Sequence, residues 1–212
     1  MKCTNEHESN FYKQGKTMIL GIDEAGRGPI AGPLVVAGVV FPKGYEHAEI
    51  YDSKKLSEKK RERLFHEIIE KALFYTIEVV SEDFIDEHNI YRATQLTMEK
   101  IVSKCDICDG VLTDAMPLPN SNIAYEAIVK GDQKSVSIAA ASILAKVTRD
   151  HIMIDYDKQY PEYGFHRHKG YPTKEHLSAL EKYGVLPIHR RSYSPVQKQL
   201  TKQLTLTLDE IE

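Results

Sequence analysis

No surplus of positive charge marks this chain as a nucleic-acid binder. Its 28 Lys and Arg face 31 Asp and Glu, a formal net charge of −3 over 212 residues. That removes the global signature of such proteins but not local binding, because residues 54–63 and 165–170 are basic stretches able to carry phosphate contacts. No apolar run approaches the roughly 20 residues of a membrane span. The polar segment 1–16 lacks the apolar stretch of a secretory signal. Cysteines number three, as suits a reducing compartment, so the expected location is the cytoplasm. Cys105 and Cys108 do form a C-x-x-C, yet no second pair or nearby histidine completes a tetrahedral metal site, and they read as structural or incidental. Repeats and low-complexity linkers are absent too, so residues 17 to about 190 read as one unit.

What is present begins with strands. Residues 18–22 and 34–41 are β-branched or continuous apolar runs, as buried strands require, and residues 74–80 read as another. Ser57 can cap a helix whose face is Leu64, Phe65, Ile68, Ile69, Ala72 and Leu73. Ile90, Thr94, Thr97 and Ile101 suggest a second helix. Residues 111–113 form a short strand, and 123–129 fit a strand or a short helix. The strongest helical pattern runs from Ser137 to about Tyr156, and 173–183 is a last helix stopped by Gly184. Early strands and later helices give an α/β class: a mixed sheet flanked by helices, with a helical C-terminal portion.

The densest chemistry lies in residues 20–33, Leu-Gly-Ile-Asp-Glu-Ala-Gly-Arg-Gly-Pro-Ile-Ala-Gly-Pro. An apolar strand delivers two adjacent carboxylates, Asp23 and Glu24, which repel each other and are usually offset by a cation. Hard oxygen ligands suit Mg²⁺ or Mn²⁺. The Gly26-Arg27-Gly28 turn adds bare backbone N–H groups and a guanidinium, suited to an anion such as phosphate. A dinucleotide fingerprint, G-x-G-x-x-A, also matches here, but it needs a helix to start at the loop, and Pro29, Gly32 and Pro33 prevent one. A P-loop fails because no Gly-Lys-Ser/Thr follows.

Asp114 ends an apolar run much as Asp23 does and could share its metal, though taken alone it reads better as a turn-forming Asp. Asp132 precedes the long helix, where N-terminal charge stabilisation is the plain alternative. Asp150, inside that helix, reads as an i,i+4 or surface pair.

Together these residues resemble ribonuclease HII, the type 2 ribonuclease H. The resemblance rests on Gly21-Ile-Asp-Glu-Ala-Gly-Arg-Gly-Pro, Asp52-Ser-Lys-Lys-Leu-Ser, Thr113-Asp114, and Gly131-Asp132 leading into Ile138-Ala-Ala-Ala-Ser-Ile-Leu-Ala-Lys-Val-Thr-Arg-Asp150. It also includes His168-Lys-Gly-Tyr-Pro-Thr-Lys-Glu-His176 and His189-Arg-Arg-Ser. These blocks lie within a catalytic domain at 17–196, leaving a polar extension, 1–16, and a tail, 197–212. The resemblance implies a ribonuclease H-like fold, with Asp23, Glu24, Asp114 and Asp132 as catalytic metal ligands. It further implies a sensor of the ribose 2′-hydroxyl made by Gly26, Arg27, Gly28 and Tyr171. Lys54, Lys55, Ser142, Lys146 and Lys169 are candidate backbone contacts that set register without reading sequence. The implied activity is Mg²⁺- or Mn²⁺-dependent hydrolysis of the RNA strand of RNA–DNA hybrids, and cutting beside single ribonucleotides in duplex DNA, by a monomer. A catalytically silent hybrid-binding module and a ribonuclease H-like DNA nuclease such as a junction resolvase are the rivals. In the tail, residues 203–208 alternate polar and apolar like an extended segment, and Gln203-Leu-Thr-Leu206 looks like a weak sliding-clamp peptide with Thr207 where an aromatic belongs.

Overall fold

The two apolar runs at the start of the chain become the middle of a five-stranded sheet. A computed structural model describes residue 3 and residues 5–209, with backbone alone for 203–209. The strands are β1 (Ile19–Ala25), β2 (Leu34–Val40), β3 (Phe74–Val80), β4 (Gly110–Asp114) and β5 (Tyr125–Ile128), in the order β3-β2-β1-β4-β5. β1 pairs antiparallel with β2, and β2 with β3; β4 runs parallel to both β1 and β5. Every residue of β2 is buried, which is why its run is continuous rather than alternating. β1 continues past its apolar stretch: Asp23, Glu24 and Ala25 pair with Ala37, Val36 and Val35, so both carboxylates sit within the strand. The segment 123–129 resolves as strand β5.

Eight helices are described: α1 (Glu6–Lys13), α2 (Glu58–Lys71), α3 (Glu82–His88), α4 (Ile90–Lys104), α5 (Val136–Gln159), α6 (Phe165–His168), α7 (Lys174–Tyr183) and α8 (Ser194–Asp209). One sheet face, carrying Val35, Ala37 and Val39, packs against α5 and the Leu64–Ile68 side of α2. The other, with Leu20, Ile22 and Val36, packs against Met98 and Ile101 of α4. Gly21 permits the closest approach, since a Cβ there would stand 2.3 Å from the Ser137 carbonyl carbon. At its start α5 is buried on all sides from Val136 to Ala145, and Ser135 caps it by accepting from the Ile138 N–H. Thr173 caps α7, and Gly184, at φ +88°, ends it.

The N-terminal segment packs onto this body. Phe11 of α1 joins Ile19, Leu112, Ile128 and Ile138, and the buried Glu8 accepts hydrogen bonds from the hydroxyls of Ser135 and Ser137. The tail does not have the extended form its alternation suggested: its backbone stays helical through Asp209. Cys105 and Cys108 are free thiols buried at the end of α4. Among the described residues no helix is long and apolar enough to cross a membrane.

Candidate active site

Parallel pairing of β1 with β4 decides where the carboxylates meet. Ile22 stands opposite Thr113, so Asp23 and Asp114 follow side by side at the carboxyl ends of neighbouring parallel strands, where α/β folds gather ligands. Asp114 Oδ1 accepts from the Gly131 N–H at 2.8 Å, fastening the short 3₁₀ turn Gly131–Gln133 that carries Asp132. Asp23 Oδ1 accepts from the Glu24 N–H at 2.7 Å, and Ser142 of α5 hydrogen-bonds to the same carboxylate. Ser142 in turn lies 3.0 Å from the Ser53 hydroxyl.

These acids are held at a cost. Burial, then the charges of Glu24 and Asp114, push the Asp23 carboxyl well above its ordinary range. Burial raises Glu24 to about 7, with Arg27 pulling down and Asp114 pushing up. Asp132 is raised by burial and by Asp114 and Asp52. Burial alone would lower the Lys54 ammonium, but Asp132, Asp23, Asp52 and Asp114 outweigh it and push it up. Glu24 Oε1 lies 3.5 Å from the Arg27 guanidinium, while its Oε2 is buried with no hydrogen-bond partner. Mutually repelling carboxylates with an orphaned oxygen among them are a donor set that fits a divalent cation. Among the described residues no group of three or more His, Cys, Asp or Glu side chains is placed so that it could hold a metal ion as it stands.

Beside them opens a cavity of about 240 Å³ lined by Glu24, Gly26, Arg27, Gly28, Ser53, Lys54, Ser142, Lys146, Arg149 and Tyr171. Gly26, at φ +102°, can only be glycine: a Cβ would stand 2.2 Å from Arg149 Nε. A Cβ on Gly28 would sit 3.2 Å from the Tyr171 ring, so ring and loop are in contact range. Two proposed contacts do not line this cavity. Lys55 Nζ donates to the Tyr51 hydroxyl at 2.9 Å, and Lys169 Nζ donates to the His166 carbonyl. Asp150 makes the i,i+4 pair with Lys146 at 2.7 Å but is buried rather than a surface group.

Residue-by-residue reading missed Arg149, which lines the cavity, and Arg190 and Asp52, which hold the segments around it. Arg149 and Arg190 are both buried, and their guanidinium donors go to backbone carbonyls, with one from Arg190 also reaching the Tyr193 hydroxyl. Arg149 reaches Pro33, Ala31 and Lys169; Arg190 reaches Gly32, Arg27 and Gly26. They knit the glycine-rich loop to the segment before Tyr171. Asp52, also buried, accepts from the Lys54 N–H and from Gln133 Nε2. An arginine on an otherwise apolar helix side was the available signal for Arg149; nothing local distinguishes Arg190 from Arg191.

The family model for ribonuclease HII matches residues 20–196. The chain belongs to the ribonuclease HII family. A ribonuclease HII of Clostridioides difficile (strain 630) is 54% identical over 91% of this chain and 76% of its own length. That of Acholeplasma laidlawii (strain PG-8A) is 53% identical over 91% of this chain and 95% of its own. Among solved structures, the ribonuclease H2 of Pyrococcus horikoshii OT3 superposes with a TM-score of 0.75 at 29% identity, covering 87% of this chain and 98% of that one. The structure of the PCNA:RNase HII complex from Archaeoglobus fulgidus matches with a TM-score of 0.71 at 27% identity, over 82% and 93%. The ribonuclease HII fold and membership make this chain a metal-dependent endoribonuclease that acts on the RNA strand of RNA–DNA hybrids.

Proposed function

We propose that the enzyme also cuts beside single ribonucleotides embedded in duplex DNA, and that both reactions leave a 5′-phosphate and a 3′-hydroxyl. Asp23, Glu24 and Asp114 would hold two divalent cations, Mg²⁺ or Mn²⁺, with Asp132 completing the set or orienting water. Bound there, the cations supply neutralising charge at the scissile phosphodiester and ease the loss of a proton from water. The rest is done by the chain's own groups. Bare backbone at Gly26 and Gly28 lets the loop approach the ribose, and Arg27 grips the adjacent phosphate. The Tyr171 ring stacks on the following sugar while its hydroxyl meets the 2′-OH, the group that separates RNA from DNA. Lys54, Ser142 and Lys146 bind the backbone; from outside the cavity, Lys55 and Lys169 reach only flanking phosphates.

What supports this reading is the convergence of Glu24, the Gly26-Arg27-Gly28 loop and the exposed Tyr171 on one cavity, joining a site for cleavage to a device for reading ribose. A silent binding module would not need buried, mutually repelling acids, and a junction resolvase would not need the sensor. Incubating the enzyme in each metal with an all-DNA duplex, a hybrid and a duplex holding one ribonucleotide tests it. Cleavage of the last two alone is expected; cleavage of plain DNA would contradict the sensor. The tail adds a second contact, a weak one with a sliding clamp through residues 203–208. Its support is the PCNA complex of the Archaeoglobus fulgidus relative; against it stands the helical backbone there.

A further inference from the structure

Three buried histidines lie directly behind the sensor tyrosine, and the cleavage chemistry uses none of them. His168 and His176 stack with ring centroids 4.5 Å apart and planes 10° apart, and His176 Nε2 lies 3.1 Å from His189 Nε2. Hydrogen-bond arithmetic assigns every proton. The Tyr171 carbonyl can only accept, so His176 Nδ1, 3.0 Å away, carries a hydrogen. The Leu186 N–H can only donate, so His189 Nδ1, 2.9 Å away, is bare and His189 Nε2 carries the hydrogen. That hydrogen points at His176 Nε2, which must then be a lone pair. His168 obeys the same logic: Nε2 donates to the Tyr163 carbonyl and Nδ1 accepts from the Gly170 N–H. All partners are satisfied only when all three rings are neutral. Burial ensures it by pushing His176 down to about 4 and His189, also beside His176, to about 3.

We infer that His176 is a positioning residue for ribose recognition: its Nδ1–H holds the Tyr171 carbonyl, and His189 locks the tautomer that makes this donation possible. The chain of contacts is short. Leu186 N–H binds His189, His189 binds His176, and His176 binds Tyr171, whose ring lies against Gly28. Tyr171 is gripped on its other side too, its N–H donating to the His168 carbonyl at 2.9 Å. The preceding residues leave little slack. Lys169 and Gly170 both have positive φ, and the Gly170 carbonyl accepts from the Ile30 N–H in the glycine-rich loop. Rotating His176 leaves the Tyr171 carbonyl with the Thr173 N–H at 2.8 Å alone, and a proton on His176 Nε2 breaks the bond from His189 that fixes the ring. This inference rests on Tyr171 being that reader.

The test pairs spectroscopy with kinetics on the full-length enzyme. With ¹⁵N-labelled histidine at pH 7, two-bond ¹⁵N–¹H spectra should show His176 protonated at Nδ1 and bare at Nε2, and His189 the reverse. Kinetically, His176→Ala should lower kcat/KM on the single-ribonucleotide duplex by roughly five- to tenfold more than on a continuous hybrid, the equivalent of one net hydrogen bond. His176→Asn, whose amide nitrogen can stand where Nδ1 stood, should recover most of that loss. The loss should also vanish when Tyr171 is already alanine. Circular dichroism of each variant verifies its fold, and His176→Gln, whose amide stands nearer Nε2 and leaves the Tyr171 carbonyl without the Nδ1 donor, carries the kinetic test with the same expected selective loss if the alanine variant unfolds. A proton on His176 Nε2, or an unselective His176 loss beside a selective Tyr171→Ala loss, overturns this inference alone. An unselective Tyr171→Ala loss overturns the sensor reading and this inference with it.

Discussion

Replacing Arg190 by methionine removes the guanidinium while keeping much of its length. Arg190 is fully buried; it donates to Gly32 O at 3.0 and 2.8 Å, to Gly26 O at 2.7 Å, to Arg27 O at 3.2 Å and to the Tyr193 hydroxyl at 3.1 Å. The Arg27 carbonyl would keep the Tyr193 hydroxyl at 2.8 Å. Gly26 and Gly32 would lose the donor they share, and each orphaned carbonyl costs about 1–3 kcal/mol. Against this, the buried guanidinium is itself unfavourable, since burial lowers its affinity for a proton. Removing one partner of a buried polar set nevertheless usually costs about 3–5 kcal/mol, so the loss of donors should win by about 3 kcal/mol. Arg190→Lys should recover little, because one ammonium cannot reach carbonyls on both sides of the loop. Urea unfolding gives the stability, provided the m-value stays unchanged. Cleavage of a hybrid under folding conditions should fall as well, since Gly26 and Arg27 belong to the loop being held. A stability change under about 0.5 kcal/mol with normal cleavage would refute the reasoning.

Other outcomes follow from the same contacts. Glu8→Ala should destabilise the fold by about 2–4 kcal/mol, read by urea unfolding, because it strands two buried serine hydroxyls and the Ser137 N–H. In chelator at pH 8, Glu24→Gln should melt above the unsubstituted enzyme. Burial raises the Glu24 carboxyl from 4.5 to about 7, so the wild type loses stability as pH climbs through that window and an amide does not. The advantage should shrink toward pH 5, and a difference independent of pH would contradict it. A peptide covering residues 198–212 should bind a sliding clamp weakly, and Leu204→Ala with Leu206→Ala should abolish binding in a calorimetric titration.

The parts of this fold that depend on local pattern were legible in the sequence. Apolar runs marked β1 and β2, and Ser57, Thr173 and Gly184 marked helix ends. Parts that depend on distant pairing were not. Glu8 is a helix residue until Ser135, 127 positions away, gives it a role. Residues 203–208 alternate like a strand, yet their backbone is helical. At the site, Asp23, Glu24 and the glycines were legible because adjacent acids before a Gly-Arg-Gly turn have few structural uses. Asp114 and Asp132 took their weight from the family resemblance, and the parallel register then set Asp114 beside Asp23. Arg149, Arg190 and the histidine stack were illegible because most of their hydrogen-bond partners are backbone atoms and the rest lie on distant segments, which no local side-chain pattern reveals.

The central claim is that the carboxylates at the ends of β1 and β4 carry a metal-dependent cleavage of the RNA strand. Its most direct measurement is single-turnover cleavage of an end-labelled RNA–DNA hybrid by the unsubstituted enzyme, Asp23→Asn and Asp114→Asn, each with Mg²⁺, Mn²⁺ or chelator. Losing several kcal/mol of transition-state stabilisation should slow either variant about a hundredfold or more while circular dichroism stays unchanged. Chelator should silence the unsubstituted enzyme. Near-normal rates from either folded variant in Mg²⁺ would contradict the account.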